Sequence, residues 1–169
     1  MNGHIRSVAD QYAADGYIAL APDVFWRTQP RVELGYEGAD REKAMELLQK
    51  TKLDAAVADM SAAGSRISRL RRGRWICRWL TMAAASRTRS TRRIRSRLPM
   101  QFHYGGLDAH IPQDAVDAVR QKFAGRKDSE LYVYPQADHG FNCGDRASYN
   151  AKASGLAHGR TLKFLGEHL

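Results

Sequence analysis

MQFHYGG, residues Met100 to Gly106, is a short apolar run closed by two glycines. IPQDAVDAVRQKFAG follows from Ile111 to Gly125, and SELYVYPQ from Ser129 to Gln136. In the middle piece Pro112 stands near a helix start and Gly125 at its end, where a fixed φ and a permissive one are each best tolerated. The outer pieces have the length of strands. Strand, helix and strand in that order join parallel neighbours, because a parallel return needs a crossover long enough to hold a helix. The unit predicts an α/β fold, a parallel sheet covered by helices.

The same alternation extends outward. Ile5, Val8, Ala9 and Tyr12 have helical spacing, and Gly16 is placed to stop that helix. YIALAPD, Tyr17 to Asp23, is an apolar run ending at Pro22 and predicts a buried strand. Glu37 to Asp59 is rich in Ala, Leu, Lys and Glu, with Ala44, Leu47 and Leu48 on one face, and predicts a helix. Ser148 to Leu169 predicts a last amphipathic helix through Leu156, Leu162, Phe164 and Leu165. A chain of 169 residues is enough for one domain with its own core.

One segment fits neither period. Residues 61–98 hold twelve arginines and no lysine, aspartate or glutamate. The formal charge of +9 rests on them: without these twelve, 15 Lys and Arg stand against 18 Asp and Glu, a net of −3. The basicity is therefore local. A long basic loop without regular structure is the plain expectation, though unusual in a compact domain. The alternative is a nucleic-acid-binding surface over residues 66–97, with Trp75 and Trp79 among the arginines as stacking platforms.

Two cysteines, Cys77 and Cys143, make no disulfide framework and no CxxC spacing. The N-terminal MNGHIRSVADQYAADGY lacks an apolar signal core, and no run approaches a membrane span. The expectation is a cytoplasmic protein with no membrane partner.

Two motifs lie just past strand ends, where open α/β sheets carry function. GGLDAHIP places Asp108 after the two glycines, and ADHGFNC places His139 after LYVYP. An acid followed by a histidine on such loops is the order in which α/β-hydrolases carry an orienting carboxylate and a general base. By spacing alone the signal is weak, and ordinary loop residues are the favoured reading over a catalytic pair. His103, inside a strand, reads as a packed core histidine. His110 beside Asp108 suggests a metal, but no HExxH or Cys/His cluster completes a site, so no metal or cofactor is expected. Cys143 reads as a small buried side chain. Cys77 has arginine neighbours that would lower its pKa, but it lacks the glycines of a nucleophile turn. His4 and Arg6 are open between substrate contact and a solvated helix start.

YIALAPD, FHYGGLDAHIP and YPQADHGFNC, with the C-terminal ASYNAKASGLAHGRTLKFLGEHL, resemble the dienelactone hydrolase (carboxymethylenebutenolidase) family. The resemblance covers Asn2 to Met60 and Pro99 to Leu169. It implies an α/β-hydrolase fold and hydrolysis of a lactone or enol-ester of a small carboxylate through a Cys-His-Asp mechanism. The motif G-G-x-D-x-x-x-P puts the triad acid at Asp108, and A-x-H-x-F puts the base at His139. The implied partner is a small-molecule lactone or ester, with no nucleic acid.

The family's G-x-C-x-G-G turn, which carries the nucleophile, has no counterpart here, and the first part of its domain, including a strand ending in a Glu-containing loop, is also missing, so the sequence is expected to start in mid-domain. No nucleophile is recognisable. Residues 61–91 can be read one base earlier. Trp75 before Ile76 then must give aspartate, Met82 before Ala83 must give glycine, and permitted codons complete an alanine-rich helix and an A-Y-Y-G-G strand end. That is similar to the helix and strand that follow the family's nucleophile. The expectation is one partial α/β-hydrolase domain over residues 1–169, with residues 61–98 out of frame or disordered and little or no activity as written.

Overall fold

The computed structural model describes residues 2–52, 54–56, 58–60, 62–63 and 99–168. The chain divides into two compact units, Met1–Arg78 and Trp79–Leu169. Of the arginine-rich segment only residues 62–63 are described; its arginines, with Cys77, Trp75 and Trp79, lie outside the described residues, and so do the readings that fall on them.

In the first unit α1 runs over Gly3–Ala14 and α2 over Gly38–Lys50. Asn2 caps α1: its side-chain oxygen accepts from the Ile5 N–H at 3.1 Å, satisfying one of the donors that a helix start leaves open. Gly16, at φ +92°, takes the left-handed turn that ends the helix. Tyr12 on α1 and Leu47 on α2 are buried. Burying a side chain such as Leu47 stabilises by about 1.5–3 kcal/mol. The helix expected to reach Asp59 breaks at Thr51 and Lys52, and helical residues resume at 54–56 and 58–60.

YIALAPD is not a strand. Residues 17–23 carry no ladder, and Ile18 and Leu20 are 55% and 49% exposed. The prediction fails for a physical reason: an apolar run becomes a buried parallel strand only between neighbours that take its N–H and C=O groups. Among the described residues no strand flanks it. The chain turns instead on Asp23, whose carboxylate oxygens accept from the Phe25 N–H at 3.0 Å and the Arg31 N–H at 2.8 Å.

The second unit realises the alternation. Strand β1 (Met100–Gly105), helix α3 (Gln113–Phe123), strand β2 (Ser129–Tyr134) and helix α4 (Ala151–His168) follow in order. β1 and β2 pair in parallel, with Met100 opposite Ser129 and Gly105 opposite Tyr134. Side chains alternate between the two faces. Phe102 and Tyr104 lie on the face where Phe102 meets Phe123 of α3 at a centroid distance of 4.9 Å. Gln101 and His103 lie on the other, where α4 crosses: the Gln101 amide donates to the Arg160 carbonyl at 3.1 Å. The core on that side is Tyr134, Ala137, Phe141, Ala153 and Ala157, with Tyr132 packed against it.

His103 is the core histidine the sequence predicts. Gln101 donates its amide N–H to Glu130 at 2.7 Å, so its oxygen faces His103 Nε2 at 2.8 Å as an acceptor. His103 Nε2 therefore carries the proton, and Nδ1 accepts from the Tyr134 hydroxyl at 2.9 Å. Burial, reinforced by the Arg160 charge, pushes the His103 pKa down to about 4, which keeps the ring neutral.

Candidate active site

β1 and β2 end side by side, so the loops that follow them leave the sheet together. The two glycines decide how close those loops come. A Cβ on Gly105 would lie 2.5 Å from the Ala137 carbonyl oxygen, and one on Gly106 would lie 2.8 Å from Pro135 Cα. Both contacts are with backbone, which cannot swing aside. Only residues without a Cβ let the Gly106 N–H donate to Tyr134 O at 2.8 Å and the Leu107 N–H to Ala137 O at 2.9 Å. The loops are thereby stitched to each other beyond the last ladder bond.

Asp108 is the next residue, its side chain 5% exposed. Its Oδ1 accepts from the backbone N–H of His110 at 2.8 Å and of Ile111 at 3.0 Å, an Asx turn that fixes the carboxylate against its own chain. Its Oδ2 faces Nδ1 of His139 at 2.9 Å. An ionised carboxylate only accepts, so Nδ1 donates and the Nε2 lone pair of a neutral ring is left to take a proton. Among the described residues no thiol or hydroxyl hydrogen-bonds to Nε2. Cys143 is buried, as expected, and its backbone N–H donates to Gly140 O at 2.8 Å.

The His139 loop is held from below. The Ser148 hydroxyl donates to the His139 carbonyl at 2.7 Å. Asn150 does two things at once: its amide N–H donates to Gln136 O at 3.0 Å, and its oxygen accepts from the Ala153 N–H at 3.0 Å, capping α4. His110, its side chain 65% exposed, lies beside His139 with ring centroids 4.9 Å apart and Nδ1 3.7 Å from Asp108 Oδ1. One donor atom each from Asp108, His110 and His139 falls within 4.8 Å of the others.

The dienelactone hydrolase family model matches residues 1–72 and 84–169. The chain belongs to the dienelactone hydrolase family. With that membership comes the α/β-hydrolase fold, of which the described residues hold two adjacent parallel strands and their covering helices. A candidate carboxymethylenebutenolidase of Azospirillum brasilense is 26% identical over 195 positions, covering 100% of this chain and 83% of the relative. The carboxymethylenebutenolidase of Pseudomonas putida is 23% identical, covering 98% of this chain and 80% of its own length. The crystal structure of a candidate dienelactone hydrolase from Klebsiella pneumoniae is 40% identical over 40% of this chain and 29% of that one, with a TM-score of 0.38.

Of the residues singled out in the sequence, folding brings Asp108, His110 and His139 together. His4 and Arg6 stay in the first unit, where His4 packs edge-on against Tyr36 and Arg6 pairs with Glu33 at 3.0 Å. Sequence reasoning set His110 aside for lack of a cluster, and the fold supplies one. The signal was available: a residue two places after an Asx-turn aspartate stays beside its carboxylate. The spacing role of Gly105 and Gly106 was missed, because a strand-ending glycine pair reads the same whether or not a second loop lies against it. No helix among the described residues is long and apolar enough to cross a membrane.

Proposed function

We propose that the second unit carries the acid–base half of a hydrolase site for a lactone or enol-ester of a small carboxylate. The observation that carries this reading is the Asp108–His139 pair, with Oδ1 of the carboxylate held by two backbone N–H groups and Oδ2 given to Nδ1 of the imidazole. In the full reaction His139 Nε2 takes the proton of a cysteine thiol as the sulfur attacks the acyl carbon. The ester C–O bond breaks, and the imidazolium returns the proton to the leaving oxygen. Water, deprotonated by the same nitrogen, then cleaves the thioester and frees the thiol. Asp108 holds the ring in the Nδ1–H tautomer and stabilises the imidazolium. No step requires a metal or an organic cofactor.

The chain as it stands is proposed to turn over little or no substrate, because no G-x-C-x-G-G turn is present in its sequence. The family match leaves residues 73–83 unmatched, and the Azospirillum alignment needs 195 positions for 169 residues. Both fit a stretch lost or displaced in the middle of the domain. Redetermining the gene should reveal missing bases near Met60 and a second frame change before Pro99. An intact frame there would sink that part.

The acid–base reading is tested without turnover. Nitrogen NMR of His139 should show Nδ1 protonated and Nε2 bare, and Asp108→Asn, whose amide turns an N–H toward Nδ1, should move the proton to Nε2. A tautomer indifferent to Asp108→Asn would overturn it. In an assay with a dienelactone or an activated ester, turnover that vanishes in His139→Ala would show that a working nucleophile exists after all.

A further inference from the structure

We propose that Asp108, His110 and His139 form a binding site for a borderline divalent cation, Zn2+ foremost, and that the bound ion withdraws His139 from service as a base. Two imidazoles and a carboxylate are a donor set that suits zinc, which takes three protein ligands and leaves a fourth position open. Hard cations such as Mg2+ and Ca2+ prefer all-oxygen shells and fit it poorly. Two of the three donors are already fixed. Asp108 is held by its Asx turn, and His139, its side chain 20% exposed, is held against Asp108 Oδ2. His110 is the adjustable arm: its side chain is 65% exposed, and its Nδ1 already faces the carboxylate at 3.7 Å.

Tetrahedral zinc with bonds of about 2.0–2.2 Å sets its donor atoms roughly 3.3 Å apart. The donors here lie within 4.8 Å of one another, so a swing of about 1.5 Å by the exposed His110 ring closes the site. Both Nδ1 atoms face the Asp108 carboxylate, so the ion takes the place now filled by the His139 Nδ1 proton. That proton moves to Nε2, and the ring stays neutral. A thiol or water approaching Nε2 then meets an N–H instead of a lone pair. Binding needs only the geometry. The blocking effect rests on the acid–base role proposed above.

The test uses the untagged full-length chain titrated with Co2+, whose visible absorption reports coordination geometry, followed by displacement with Zn2+. A strong tetrahedral band that Zn2+ abolishes is expected. Affinity should fall at least about tenfold in His110→Ala and in His110→Gln, both at an exposed position, with circular dichroism unchanged. With saturating Zn2+, nitrogen NMR should place the His139 proton on Nε2. A faint octahedral spectrum, or undiminished affinity in both His110 variants, would overturn the site. A bound ion with the His139 proton still on Nδ1 would overturn the blocking. Neither readout depends on turnover, so failure of the hydrolase reading and failure of this one are told apart.

Discussion

Two apolar runs of similar length meet different fates. MQFHYG becomes β1, laddered to β2 and at least half-buried along its length, whereas YIALAP stays without a ladder and exposes Ile18 and Leu20. Composition does not separate them. The difference is a neighbour: β1 is followed by a helical crossover that delivers β2 to its edge, and the described residues offer nothing of the kind to residues 17–22. Being apolar makes a segment able to be a strand, and only a partner makes it one.

The hardest way to break the laddered half is at the glycine where its loops touch. Gly105→Val should cost about 3 kcal/mol or more, because the new side chain meets backbone atoms of Ala137 and Asp138. A lowered urea midpoint, with loss of the Asp108–His139 hydrogen bond in the NMR spectrum, checks it.

Next in size is a pH effect. His103 has its folded pKa pushed down to about 4, below the ordinary value of 6.5, so between these limits the unfolded chain binds a proton that the folded chain does not. Stability is whole above pH 6.5 and falls as pH drops toward 4, by at most about 3 kcal/mol from this group. Unfolding midpoints at pH 7 and pH 4.5 should show a smaller drop for His103→Gln than for the natural chain. Equal drops would contradict the neutral tautomer.

Asn150→Ala removes the α4 cap and the tie to Gln136, and should cost about 1 kcal/mol in thermal denaturation. The smallest effect belongs to the other run. Ile18→Asn should change stability by less than about 0.5 kcal/mol. A loss of 2 kcal/mol or more would mean that this run has a partner after all, and the contrast with β1 would collapse.

Much of the second unit was legible because its signals are local. Pro112 precedes α3, Gly125 takes a positive φ just past it, and two glycines close β1. The fate of YIALAPD was not legible, since burial depends on residues far along the chain. The Asp108–His139 pair was half legible. Order and loop position suggested Asp108 and His139, but their contact depends on a parallel register and two missing Cβ atoms that no spacing rule reports. His110 was half legible in the same way: its place beside Asp108 follows from the Asx turn, but its second neighbour, His139, is distant in sequence.

The Asx turn at Asp108 has a consequence for how such a site can decay. The aim of the carboxylate is set within four residues, Asp108 to Ile111, and that of the histidine by contacts that follow β2. Neither set of contacts draws on any residue before Asp108. On the function proposed above, a nucleophile could be lost while the remaining two side chains keep the hydrogen bonds that aim them. On the same reading, a thiol placed nearby would meet an imidazole already aimed by Asp108.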